Sequence, residues 1–343
     1  MMNSQRSYLL RIALPIALLF GFAPRVQGKD KPLRIYFIDV EGGQSTLVVS
    51  PSGKSVLIDT GWAGSRDADR IASAAKDAGL KQIDYVVITH FHPDHAGGVP
   101  ELVKRLKVST FVDHGSDTED SAKARDLYSA YQKAIEHSSR VVIKPEQGLP
   151  FPDLKLEFVA AAGETITDPL PGAGEANPYC YSEAPAPPDS TENSQSIGLL
   201  ITYGKFRFLD LGDLTKIKQM SMICPNNLLG TVSLYLTTHH GGYPDNSRAL
   251  VWALHPLVAI MNNGARKGGR AESWQVVHDS PGLQDLWQLH YAADSDPQHN
   301  VAESLIANPD EKRDGNFIEV KAKPDGKFSV TNSRNGYSRK YPQ

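Results

Sequence analysis

Cysteine is scarce: Cys180 and Cys224 are the only two in 343 residues. Neither stands at metal-ligand spacing from a partner, which excludes a thiolate metal site. A disulfide between them and a pair of buried free thiols both remain open. A basic excess is also missing. Residues 1–28 hold three arginines and no acidic side chain. With those set aside from the 36 basic residues, 33 face 39 acidic ones, a formal charge near −6. Such a chain is a poor electrostatic match for bulk nucleic acid, and no stable nucleic-acid complex is expected. An apolar run of membrane-spanning length, about 20 residues, is missing as well. Residues 12–23 are apolar, follow Arg6 and Arg11, and lead through Pro24-Arg25-Val26-Gln27 to Gly28. That is the pattern of a secretory signal peptide. Residues 1–28 are therefore expected to be cleaved, leaving 29–343 periplasmic or secreted with no membrane contact; an uncleaved anchor is the alternative. No cysteine follows the run, so a lipoprotein anchor is not expected. No internal repeat of fixed period occurs, and oligomeric state is left open.

What is present is an ordinary globular composition, 40% hydrophobic and 22% charged, at a length that buries a sizeable core. Residues 33–40, 45–49 and 55–59 read as three short strands joined by Gly-containing turns. Residues 67–80 change to helical spacing, with Gly79 as a C-cap. Strand 84–89 runs straight into His90. A helix is expected over 99–106, a strand over 110–112 and a helix over 121–138; 141–159 reads as strands and turns. Residues 160–192, rich in Pro, Gly and Ala, read as a long loop insertion, either solvated or a lid. A hairpin turns at Tyr203-Gly204. Strand 233–237 precedes His239, helix 247–254 and strand 257–261 follow, and 282–290 reads as a helix. Residues 316–320 and 328–331 return to strands. The order implies an α/β (α+β) chain: two mixed sheets facing each other with helices outside, four layers in all.

Three segments carry chemistry, each just past a strand. The first is Thr89-His90-Phe91-His92-Pro93-Asp94-His95-Ala96-Gly97-Gly98. Imidazole and carboxylate suit Zn²⁺ and related ions. His90 and His92 can point one way as the strand ends, and Asp94 and His95 can be aimed elsewhere by a tight turn, so the segment can feed two metal positions. The second is Leu211-Gly212-Asp213, a carboxylate able to bridge two metals. The third is His239-His240-Gly241-Gly242. A small anionic substrate is compatible with the acidic chain, because bound metal dominates the local field. Asp59 is expected to orient a ligand His through a hydrogen bond. His114 is expected to line the pocket, and Asn262-Asn263-Gly264 either lines it, through Asn263, or is simply a turn. The run 266–270, with three basic residues, reads as a solvated loop, with a patch that holds an anionic group as the alternative, and His137, His255, His278, His290 and His299 read as structural or surface residues.

His90-x-His92-x-Asp94-His95, with Phe37-Ile38-Asp39-Val40, Val56-Leu57-Ile58-Asp59-Thr60-Gly61, Gly212-Asp213 and His239-His240-Gly241 in the same order, resembles the metallo-β-lactamase superfamily from about residue 33 to 264. Within it, the likeness runs most closely to the soluble hydrolase domain of the DNA-uptake protein ComEC and its secreted relatives. The phosphorylcholine esterase of cell-wall teichoic acid is more distant. The resemblance implies a four-layer αββα sandwich with metals at one edge. It implies His90 and His92 on a first ion, Asp94 and His95 on a second, Asp213 bridging, and His240 completing the second site with His239 beside it. Many members carry a further His between the first motif and the bridging Asp. Here the stretch is Glu192-Asn193-Ser194-Gln195-Ser196, as in the ComEC-like branch, with Asn193 as a substrate contact. His114 is a possible replacement ligand.

The expected cofactors are two divalent ions, Zn²⁺ first and Mn²⁺ as the alternative. The expected reaction is hydrolysis by a water that the ions activate, with Asp94 handling its proton and His239 contacting the substrate. No Ser or Cys nucleophile is needed. The expected substrate is a small molecule or ester, with a phosphodiester or phosphate ester favoured. β-Lactam or lactone hydrolysis and a non-catalytic metal-binding module are the alternatives.

Overall fold

Alternating burial along the first strand sets the layers. In the computed structural model, which describes residues 1, 31–182, 186–310 and 314–342, Leu33, Ile35 and Phe37 point into one apolar cluster and Tyr36 into another. The chain runs β1 (Leu33–Phe37), β2 (Thr46–Val49), β3 (Ser55–Ile58), α1 (Ser65–Asp77), β4 (Gln82–Val87), α2 (Pro93–Ala96), α3 (Val99–Leu102), β5 (Lys107–Asp113), α4 (Ala122–Ile135) and β6 (Ser139–Val142). It continues through β7 (Lys155–Ala161), β8 (Glu164–Thr165), β9 (Glu175–Ala176), β10 (Gly198–Tyr203), β11 (Phe206–Asp210), α5 (Lys216–Ile223), β12 (Asn226–Asn227), β13 (Leu234–Leu236), α6 (Arg248–Leu254) and β14 (Val258–Met261). It closes with α7 (Ala271–His278), β15 (Asp285–His290), β16 (Ile306–Asn308), β17 (Ile318–Ala322), β18 (Phe328–Asn332) and β19 (Ser338–Tyr341).

One sheet has the order β19-β18-β17-β1-β2-β3-β4-β5-β6 and the other β16-β15-β14-β13-β11-β10-β7-β8. Their inner faces meet in a cluster that includes Phe37, Ile58, Val87 and Val112 from the first and Phe208, Leu234, Ile260 and Trp287 from the second. The outer face of the first sheet packs against α1 and α4 through Leu57, Ile71, Ala75, Phe111 and Tyr131. The outer face of the second packs against α5, α6 and α7 through Leu209, Met222, Tyr235, Leu250 and Trp274. This is the expected four-layer arrangement of two mixed sheets with helices outside. In both sheets, parallel strands run towards one edge, so the loops that leave β4, β11 and β13 emerge there together.

Residues 282–290 are not a helix: β15 is a parallel strand between β14 and β16, with all six residues buried. Leu283, Leu286 and Trp287 imitate helical spacing, but Trp287 and Leu289 face the inter-sheet core while Leu286 faces the helices. A fully buried strand leaves no polar face by which to tell it from a buried helix. Two short helices, α5 and α7, lie in stretches where none was expected, and the helix expected over 99–106 stops at Leu102. The 160–192 insertion is more than a solvated loop. β8 extends the second sheet, β9 pairs with β12, and Asn177 Nδ2 donates to the carbonyls of Ile223 and Ala249. Cys180 and Cys224 are joined in a disulfide, with Cα atoms 5.8 Å apart. The expected signal peptide falls on residues outside the described ones. No described helix is long and apolar enough to cross a membrane.

Candidate metal centre

Asp59, placed just past β3 with a left-handed φ of 60°, organises the first motif. Its carboxylate accepts the Thr89 N–H and hydroxyl, both at 2.7 Å, and the Nδ1–H of His95, also at 2.7 Å. Fixing Nδ1 as the donor turns the lone pair of His95 Nε2 towards the centre. His92 caps α2, with Pro93 at its first position, so the chain turns immediately after the strand. Gly97 and Gly98 let that turn close: a Cβ on Gly98 would lie 2.1 Å from the Thr60 carbonyl oxygen.

Asp94, His95, Asp213 and His240 converge from three strand ends. One ligand atom from each lies within 4.8 Å of all the others, and all four residues are buried. His240 Nε2 is 3.1 Å from Asp94 Oδ2 and 3.5 Å from Asp213 Oδ2. His95 Nε2 is 3.4 Å from each of those oxygens. His90 Nε2 is 4.0 Å from Asp213 Oδ2 and 3.0 Å from His92 Nδ1. His92 Nε2 lies 3.2 Å from Glu119. His239 Nε2 is 3.5 Å from Asp213 Oδ2, and its Nδ1 is tied to Asp245 at 2.7 Å. His90, His95 and His240 thus all approach the same oxygen of Asp213, Oδ2, with the His90 and His95 rings 4.1 Å apart.

Burial opposes charge on Asp94 and Asp213, yet both are held well below the usual carboxylate range by His95 and His240. Burial likewise opposes charge on His95, but Asp213, Asp94 and Asp59 hold its pKa up. His90 is pushed down by burial and by His95. In the ion-free protein these groups neutralise one another through protons, the role a divalent cation takes over when it binds. The donor set fits such an ion: two carboxylates and imidazole nitrogens, with Asp213 Oδ1 buried and without a hydrogen-bond partner among the described residues.

The other expected residues divide. His114 is buried with its Nε2 on Glu192 at 2.7 Å, outside the cluster. Asn263 donates to the carbonyls of Gly264 and His290, so it braces a turn. Its neighbour Asn262 is the one that meets His240, at Nδ1 and 3.3 Å. Asn262 Oδ1 is buried without a partner; the opposite amide rotamer sets it on the His240 Nδ1–H and leaves Nε2 for a metal. Asn193 has a buried, unpartnered Oδ1 and forms none of the described bonds to the cluster. His290 is structural, with Nε2 on Asp39 at 2.7 Å.

Residues 266–270 are not a solvated loop. Lys267 Nζ forms an ion pair with Asp94 Oδ2 and sits 5.0 Å above the Trp62 ring. Gly269 N–H donates to the His240 carbonyl at 2.9 Å, and a Cβ on Gly268 would lie 2.1 Å from that same oxygen. The two glycines bring this loop against the strained His239-His240 backbone, where both residues have positive φ. Beside it opens a cavity of about 480 Å³ whose lining includes Trp62, Arg66, Arg266 and Lys267. Glu192 was also not foreseen. It is fully buried and accepts from Phe91 N–H, His114, Thr118 N–H and the Thr118 hydroxyl at 2.7–2.9 Å. No motif marks it; its one signal was its place in the stretch where many members of the superfamily it resembles carry a His.

Residues 38–179 match the family model of the metallo-beta-lactamase superfamily. Over that span, about two fifths of its length, the chain is similar to members of that superfamily. The two facing sheets with outer helices are its sandwich fold. Among characterised relatives, the atrochrysone carboxyl ACP thioesterase of Aspergillus terreus is 36% identical over 62 residues, covering 18% of this chain and 19% of the relative. The ribonuclease Z of Alkaliphilus oremlandii is 33% identical over 69 residues, covering 20% of each. The chain thus spans about a fifth of the length of these relatives. Among solved structures, the metallo-beta-lactamase fold protein YhfI from Bacillus subtilis is 11% identical, with 75% of this chain and 96% of that chain covered and a TM-score of 0.45.

Proposed function

We propose that this protein is an exported metal-dependent hydrolase of phosphodiester or phosphate ester bonds, in the ComEC-like branch of its superfamily. The observation that carries the reading is the meeting of Asp94, His95, Asp213 and His240 from three separate strand ends, with His90 Nε2 4.0 Å from Asp213 Oδ2 and His92 beside His90. Asp94, His95, Asp213 and His240 would hold one divalent ion. His90, His92 and Asp213 would hold the other, Zn²⁺ in first place and Mn²⁺ in second. Bound there, such ions supply a water of lowered pKa and polarise the scissile bond.

The chain's own residues do the rest. Asp59 and Asn262 hold His95 and His240 by their outer nitrogens and so aim Nε2 inward. His239 is fixed by Asp245 through Nδ1, and about a third of its side chain is exposed, so Nε2 can hydrogen-bond the substrate at the mouth. Lys267, which pairs with Asp94 and lines the cavity, would be the cation placed to meet an anionic oxygen of the substrate. Arg66 and Arg266 line the same cavity and favour an anionic ester.

Turnover of bis-p-nitrophenyl phosphate by metal-depleted and metal-resupplied protein, beside a His92→Ala/Asp94→Ala variant, tests the reading. Activity restored by Zn²⁺ or Mn²⁺ and missing from the variant supports it. An inert metal-loaded protein removes the phosphodiesterase assignment and sends the search to lactones and acyl esters.

A further inference from the structure

The pole opposite the metal centre is basic, although the chain is acidic as a whole. β1 begins at this pole with Leu33 and runs towards the centre, where Gln44 N–H, beyond its far end, bonds the Asp94 carbonyl at 3.1 Å. Five residues of strand separate the two ends by roughly 17 Å. A groove of about 520 Å³ opens at the starting end, and five lysines line it: Lys31, Lys321, Lys323, Lys327 and Lys340. All five are exposed. Lys321 pairs with Glu319 at 3.0 Å and Lys327 with Asp325 at 3.2 Å. Lys31, Lys323 and Lys340 have no carboxylate partner among the described residues.

Strand register concentrates these charges. Arg34 faces Lys321, Lys321 faces Ser329, and Ser329 faces Lys340 across four consecutive strands. Opposed residues of antiparallel strands share a face, so these cations stand in one row. The next row, Leu33, Ala322, Phe328 and Tyr341, turns into the core. Glu319 pairs with both Arg34, at 2.8 Å, and Lys321, so Lys340 is the cation of this row that an external anion would meet.

We propose that this pole docks on the surface of an anionic lipid bilayer and leaves the metal centre facing away from it. Charge complementarity calls for a polyanion. Its source follows from the chain path: the pole is where the polypeptide enters the domain at Lys31, immediately after the leader with its apolar run at residues 12–23. The leader by itself gives no reason for membrane contact after cleavage; the basic pole does. The inference does not depend on the reaction catalysed at the other end.

The test is co-sedimentation of the full chain with phosphatidylcholine vesicles made with and without phosphatidylglycerol. A Lys31→Ala/Lys323→Ala/Lys340→Ala variant is compared with a control variant altered at three exposed lysines elsewhere, Lys76→Ala/Lys123→Ala/Lys133→Ala. Each lysine near an anionic surface strengthens binding by roughly fivefold, so three should account for a loss on the order of 100-fold. Binding that requires phosphatidylglycerol, weakens with salt, falls by that order in the pole variant and persists in the control supports the proposal. Equal binding to neutral vesicles, equal loss in both variants, or no vesicle binding overturns it. Inorganic polyphosphate held by the same lysines while vesicles are ignored would assign the pole to a soluble polyanion instead. Circular dichroism confirms that both variants fold.

Discussion

Replacing Glu192 should damage the fold and the metal centre together. Its carboxylate lies at 0% exposure and accepts four hydrogen bonds, two on each oxygen. Glu192→Ala leaves the Phe91 and Thr118 N–H groups, a hydroxyl and an imidazole without that acceptor. Each orphaned buried donor costs about 1–3 kcal/mol, and water entering the void recovers part of it. A net loss of about 3–5 kcal/mol is expected. Glu192→Gln keeps the shape but turns an NH₂ group towards one of the two backbone donors, so it should cost roughly half as much. Phe91 sits between His90 and His92, so Zn²⁺ affinity should fall as well. The pH dependence follows from the same contacts. Burial alone would raise the Glu192 pKa, but His114 and the Thr118 donors draw it down to about 2 in the folded protein, against an ordinary 4.5. Between those values the unfolded chain binds the proton and the native one does not. The stabilisation, roughly 3 kcal/mol, is therefore complete above pH 4.5 and lost as pH falls through about 2. Urea unfolding followed by tryptophan fluorescence at pH 7 and pH 3 measures both effects. A Glu192→Ala penalty below about 1 kcal/mol at pH 7, or one that does not shrink at pH 3, would refute the reasoning.

Other outcomes follow from single contacts. Gly268→Ala forces a Cβ to within 2.1 Å of the His240 carbonyl at a φ of +71° and should cost about 2 kcal/mol or more, with weaker metal binding by calorimetry; a neutral substitution would mean that the loop does not brace His240. Lys267→Met removes the cation that competes for Asp94, so Zn²⁺ affinity should hold or rise while kcat/KM on an anionic diester falls about 10–100-fold. A parallel fall in metal affinity would make Lys267 a structural brace. Cys180→Ser/Cys224→Ser opens a loop of 44 residues and should lower stability by up to ~4 kcal/mol in the chain-entropy view, leaving Zn²⁺ affinity unchanged. A loss of metal binding there would tie the insertion to the site.

The sequence made most of the centre legible because its ligands sit in tight motifs at strand ends. His90 to His95, Asp213 and the His239-His240 pair stood out by the strand-then-turn pattern, while the choice of His240 within the pair rested on the family resemblance. Asp59 was readable for the same reason, as a carboxylate closing a strand. The braces were not readable. Glu192, Lys267, Asn262 and Gln44 act across long sequence separations, and each stands alone in its segment. Lys267 looked like part of a solvated basic run because its two glycines, read locally, signal a turn; what they permit is close contact with the His240 backbone. Among the elements, β15 was misread because burial on both faces removes the polar alternation that identifies a strand. The short helices α5 and α7 were missed because eight residues give too few turns for a period to show.

The central claim is that Asp94, His95, Asp213 and His240 form a divalent-metal centre that drives hydrolysis. Its most direct test is turnover of bis-p-nitrophenyl phosphate by the metal-depleted protein during Zn²⁺ titration, beside Asp213→Asn. The account predicts activity that appears with added ion in the native protein, with neither tight Zn²⁺ binding nor turnover in the variant. Activity that is indifferent to the metal, or an Asp213→Asn protein that binds and turns over like the native one, would contradict it.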